Sequence, residues 1–153
     1  MEFQYNYYFI VYEKSTGVGA FEGVIEKDAG VGRVGGMMGI VHLEQGPGMM
    51  WNTKYGHMSG MMGSGSEMHG RYSTVPGTEM PVTEKDAEEI AQAYLASYLP
   101  GLSVEDTETF YGYHTIHVLK DGEIYGMLSV NGYTGQVWYH TWHGDFIQMV
   151  GFD

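Results

Sequence analysis

Cysteine is absent from these 153 residues, which excludes disulfides, zinc–thiolate sites and thiol catalysis. Basic residues are scarce: seven Lys and Arg stand against nineteen Asp and Glu, for a net charge of −12. Nucleic acids and anionic membrane surfaces both require a basic footprint, so neither is expected as a partner, whereas cations or basic partners are better tolerated. Long hydrophobic runs are also missing. The apolar stretch from Tyr7 to Tyr12 is far too short to span a bilayer. No cationic segment followed by an apolar core of about 7–15 residues reads as a signal peptide, so no direct membrane insertion is expected of these residues. They belong either to a cytoplasmic protein or to one whose export segment lies outside them.

What is present is a repeat. Tyr8 to Gly17 and on to Gly30 overlays Tyr113 to Gly122 and on to Gly135, 105 positions later, with Val11 on Ile116, Ile25 on Val130 and Ala29 on Thr134. The shared pattern is an aromatic-rich alternating strand, a turn containing Gly, a second alternating strand and a small residue with Gly closing the next turn. Thirteen Tyr suit antiparallel sheets with one wet face, where the ring packs and the hydroxyl reaches water.

The spacing predicts a long strand over 3–14, its return over 20–27 and a third strand over about 39–44. One helix is expected over about 83–99. Thr83 is its N-cap and Asp86 its capping-box partner, Glu84, Glu88 and Glu89 sit near the positive end, and Pro100-Gly101 is its stop. Ala87, Ile90, Ala91, Tyr94, Leu95 and Tyr98 recur at three and four residues and form its buried stripe. Strands over about 104–111, 113–120, 123–131 and 136–142 follow. The fold class is therefore α+β: two antiparallel sheets, with one amphipathic helix covering the second. The domains expected are a truncated module at 1–55, a Gly/Met/Ser-rich linker at 56–80 and a complete module at 81–153. A domain of about 60 residues buries only about 60% of its unfolded surface, so a module without its helix must borrow cover.

The second module resembles a PepSY domain. The residues that carry this are Ala87, Ile90 and Ala91 in the helix, Tyr113–Val118, Asp121-Gly122, and Gly126 to Trp138 with its Val130 to Val137 strand-turn-strand pattern. Trp138 to Gly144, Tyr8 to Lys14 and Gly46 to His57 are similar to a prokaryotic, often archaeal, subset with two such modules joined by a Gly/Met-rich segment. The resemblance implies a secreted or cell-surface location and no catalytic residues. By it the first module lacks the family's helix.

Three candidate chemistries arise. Residues 30–70 hold half of the 24 glycines and eight of the twelve methionines. Within and beside the linker, Met49, Met50, His57, Met58, Met61, Met62, Met68 and His69 offer thioether and imidazole ligands that select soft ions, Cu(I) or Ag(I), so copper is the cofactor to consider. The alternative is that Met fills irregular gaps. Second, His114, His117, His140 and His143 could bind a divalent metal if one from each strand met. Strand alternation sends residues three apart to opposite faces, so neither His114 with His117 nor His140 with His143 forms a same-face pair. More simply, these rings are half-buried and hydrogen-bonded.

Third, Tyr5, Tyr7, Phe9 and Val11 lie on a Tyr-rich first strand whose edge and uncovered face suit self-association into a homo-oligomer or filament. The intramolecular solution, sheet against sheet, competes equally. Acid–base catalysis has no support, because Glu22, Glu26, Asp28, Glu105, Asp106 and Glu108 read as solvated faces. Gly30 to Gly36 lacks the Lys-Ser/Thr and the following helix of a phosphate loop. The expected function is a non-catalytic, extracytoplasmic, self-associating structural module, with soft-metal binding through residues 49–69 as the alternative.

Overall fold

The computed structural model describes residues 1–27, 41–56 and 79–151. Most of the 56–80 linker, with His57, Met58, Met61, Met62, Met68 and His69, lies outside them, as do Ala29 and Gly30 of the repeat.

Two antiparallel sheets are each built around a hairpin from one copy of the repeat. The first has the order β4-β3-β2-β1-β9, from β1 (Glu2–Phe3), β2 (Asn6–Tyr12), β3 (Gly19–Glu26), β4 (Val41–Leu43) and β9 (Phe146–Gln148). The second has the order β5-β6-β7-β8, from β5 (Ser103–Thr109), β6 (Tyr113–Lys120), β7 (Glu123–Asn131) and β8 (Val137–Tyr139). The β6–β7 turn is Asp121-Gly122, at φ 53° and 83°. Positive φ at both central residues matches the right-handed twist of the flanking strands, which is why Asp-Gly closes this hairpin.

Helix α2 (Glu84–Tyr98) begins as the sequence implies. The Asp86 backbone N–H donates to Thr83 Oγ1, and the Thr83 N–H donates back to Asp86 Oδ2 at 3.0 Å. Ala87, Ala91 and Leu95 are fully buried against Ile116, Val118, Leu128 and Val130. A four-residue helix, α1 (Pro47–Met50), follows β4; Met49 is half-buried there and Met50 exposed.

Three expectations about strands are corrected. The strand expected over 3–14 breaks at Gln4 and Tyr5, and β1 folds back on β2 with Glu2 opposite Tyr7. The bend forms because the C-terminal segment takes its backbone donors: Gln4 N–H bonds Asp145 O at 2.8 Å and Tyr5 N–H bonds His143 O at 3.1 Å. The strand expected over 136–142 ends at Tyr139, after which the chain crosses to the first sheet and supplies β9 as an edge. Consequently β2 lies inside its sheet, between β3 and β1, and not at the exposed edge that strand exchange requires. Tyr5 sits exposed in the bend before β2, while Tyr7, Phe9 and Val11 alternate along the strand, Tyr7 exposed, Val11 half-buried and the Phe9 ring lying over Gly23.

Part of the cover for the first sheet comes from within the chain. Phe3 and Tyr8 form a buried cluster with Met127 of β7, flanked by Met1, Ile10 and Phe146. A polar tie closes the other end, where Glu13 accepts from Tyr111 Oη at 2.5 Å, from Thr16 Oγ1 at 3.0 Å, and from Lys54 and Tyr55. The Lys54 ammonium first, then the Tyr111 and Tyr55 hydroxyls, hold the Glu13 carboxyl down to about 2.

Because the folded pKa lies below the ordinary 4.5, the unfolded chain binds more protons in between. Stability from this group is full above about pH 4.5 and is lost as pH falls toward 2. Glu13→Gln should therefore show a shallower fall in urea midpoint than wild type between about pH 6 and pH 3. Parallel acid profiles for the two proteins would remove Glu13 as a source of that dependence.

Candidate metal centre

The repeat and the crossover converge on one buried polar cluster. Glu44 follows β4, and its N–H donates to Glu22 O at 2.9 Å, extending the β3–β4 ladder in which Leu43 faces Gly23. His140 leaves β8, anchored by its N–H to Met127 O at 3.0 Å. His143 sits in a bend before Gly144, whose φ of 73° redirects the chain toward β1. Strand alternation therefore does not apply to this pair. The strand has already ended, and the bend turns both imidazoles onto the same carboxylate.

One ligand atom from each of Glu44, His140 and His143 lies within 4.8 Å of the others. All three residues are buried. Each is oriented by a partner behind it. His143 Nδ1 is 2.7 Å from Asn6 Oδ1, so Nδ1 donates there and Nε2 is the nitrogen that faces Glu44. Asn6 is itself fixed, with Nδ2 donating to Trp142 O. His140 Nε2 is 2.8 Å from Ser129 Oγ, which lies 2.8 Å from Thr115 Oγ1. Trp142 Nε1 donates to Glu44 Oε1 at 2.7 Å. His143 stacks on Phe3 at 4.6 Å and His140 on Trp142 at 4.8 Å, which fixes both ring planes.

The inward atoms lack aligned hydrogen bonds. His143 Nε2 and His140 Nδ1 lie 2.8 and 3.3 Å from Glu44 Oε1, yet neither is aligned for a hydrogen bond, and Glu44 Oε2 has no partner either. Burial alone would push the Glu44 carboxyl up, but the two neighbouring imidazoles hold it down to about 2. A buried carboxylate facing two ring nitrogens off the hydrogen-bond line is compensated either by protonation of the imidazoles or by a cation between the three groups. Two imidazole nitrogens and one carboxylate oxygen, each oriented from behind, suit a divalent ion of the zinc or copper(II) class.

Beside this cluster lies Glu22, fully buried and not solvated as its sequence position suggested. Burial pushes its carboxyl up, and Tyr8 and Tyr113 donate to its two oxygens at 2.5 and 2.7 Å. Those two tyrosines are equivalent residues of the repeat, so each copy contributes one donor to the same acid.

His114 and His117 are separate from this cluster. His114 Nδ1 lies 3.0 Å from Thr109 Oγ1 and its Nε2 2.9 Å from Val82 O. His117, on β6, is held below the ordinary imidazole value by burial, against the pull of Asp106 at 3.9 Å. Sequence reasoning named His140 and His143 but not Glu44. Its only signal was a lone acid at the end of a predicted strand.

Fold and site together define an α+β protein with a buried two-histidine, one-carboxylate cluster where its sheets meet. No family model, curated protein or solved structure matches the chain.

Proposed function

We propose that this is a non-catalytic metal-binding protein, a pair of PepSY-like modules joined across their sheets by one divalent ion of the zinc or copper(II) class. The observation that carries it is the convergence of Glu44, His140 and His143, with Glu44 Oε2, His140 Nδ1 and His143 Nε2 buried and without an aligned hydrogen bond. Glu44 comes from the first half of the sequence and both histidines from the second, so the ion would act as a clamp. Nitrogen and carboxylate donors favour this class over Cu(I), which prefers the sulfur ligands of the Met-rich segment.

Self-association is a second reading with its own support. Tyr5, Tyr7, Tyr12, Ile147, Met149 and Val150 are all exposed on the sheet that contains β2 and at the chain end after β9. This fits sheet packing between copies better than strand exchange.

One experiment addresses both readings: calorimetric titration of the full chain with Zn²⁺ and Cu²⁺, with sedimentation of the same samples. One ion per chain is expected, abolished in Glu44→Gln. Absence of saturable binding would sink the metal reading, and a monomer at high concentration would sink assembly.

A further inference from the structure

The three-residue cluster leaves two quantities open, coordination number and charge. A structural zinc-class ion takes four ligands in a tetrahedron, and the cluster supplies three. A divalent ion with one carboxylate and two neutral imidazoles carries a net positive charge, and the side chains around it are almost wholly buried. An uncompensated charge in such a place is expensive, so a second anion is needed nearby.

Glu22 is the acid placed to meet both needs. It faces Glu44 across the β3–β4 ladder, on the same side of the sheet, and both side chains are fully buried. Its carboxylate lies outside the 4.8 Å cluster, and Tyr8 and Tyr113 each donate to one of its oxygens. Resting on the metal reading above, we propose that Glu22 is the fourth protein ligand. It leaves one phenol to close a charge-neutral site of two imidazoles and two carboxylates, with no open position for substrate. Tyr8 and Tyr113 are then positioning residues that hold the acid beside the site and compete with the ion for it.

That competition predicts opposite signs for two conservative changes. Glu22→Gln should weaken Zn²⁺ binding by more than the roughly 10–100-fold typical of residues that only orient ligands. Tyr113→Phe removes one hydrogen bond to the carboxylate and should tighten Zn²⁺ binding by about tenfold. Both affinities are read by competition with a chromophoric chelator on the full chain. Co²⁺ substitution gives a second readout: a four-coordinate spectrum in wild type and Tyr113→Phe, altered in Glu22→Gln.

An unchanged affinity and Co²⁺ spectrum in Glu22→Gln would overturn the proposal. Weakening in both variants would overturn it too, being the pattern of a network that is merely structural. Wild-type binding abolished by Glu44→Gln but untouched by Glu22→Gln sinks this inference alone. No binding by the wild type sinks the metal reading with it.

Discussion

Zn²⁺ at about a hundredfold excess over its dissociation constant should raise the melting temperature of the wild-type chain by roughly 5–10 °C and leave Glu44→Gln unmoved. Ligand binding to the folded state alone contributes about 2.7 kcal/mol at that excess, and a chain of this size gains about 2–4 °C per kcal/mol. Glutamine is the informative replacement, because its carbonyl still accepts the Trp142 indole N–H while the charge is gone.

In chelator the variant should lose less. Glu44 is then a buried anion held only by the two imidazoles, so Glu44→Gln should be destabilising without metal and more so in Zn²⁺, where the wild type alone gains the binding energy. A cluster that is only structural gives a different pattern, with Glu44→Gln destabilising equally with and without Zn²⁺. Paired thermal scans in chelator and in Zn²⁺ separate the two. Equal shifts in both conditions would count decisively against a clamp.

The second large effect is expected at Gly112, remote from the ligands but at the seam between the halves. Its φ is 100°, and a Cβ there would lie 2.2 Å from Trp51 O and 3.0 Å from Thr53 Cγ2. The same seam carries Thr53 N–H to Tyr111 O at 3.0 Å and Gly132 N–H to Gly112 O at 2.9 Å. Gly112→Ala therefore combines a disfavoured backbone conformation with a clash against backbone that has little room to move. A loss of about 2–4 kcal/mol is expected from the urea midpoint. Gly122, also at positive φ but with nothing within 4 Å of its Cβ position, is the control, since its alanine variant carries the conformational cost alone. Equal losses at 112 and 122 would mean that the seam does not constrain Gly112.

Several elements were readable in the sequence because their causes are local. The α2 cap needs only Thr83 and Asp86, its stripe only the spacing of Ala87, Ile90, Ala91, Tyr94 and Leu95, and the β6–β7 turn only Asp121-Gly122; Tyr98, expected to continue that stripe, is instead 70% exposed at the helix end. The repeat placed Tyr8 with Tyr113, and the structure brings their hydroxyls onto one acid. The lone strand expected over 3–14 failed for the opposite reason. Its break at Gln4 and Tyr5 is made by hydrogen bonds that their N–H groups donate to the carbonyls of residues 145 and 143, which no local window contains.

The candidate site divides the same way. His140 and His143 stood out as residues, but alternation assigned them opposite faces because it assumed a strand that ends at Tyr139. Glu44 and Glu22 looked like ordinary strand acids, since nothing beside them in sequence reports burial. The sequence by itself determined the α+β class, the capped helix and the paired hairpins, all properties of short-range periodicity and turn chemistry. Only the tertiary structure decided that the C-terminal crossover completes the first sheet and carries two imidazoles to a carboxylate about a hundred residues away. The Trp142–Glu44 hydrogen bond spans 98 positions. The reason is physical: burial and convergence depend on long-range packing, which a side chain's neighbours in sequence do not encode.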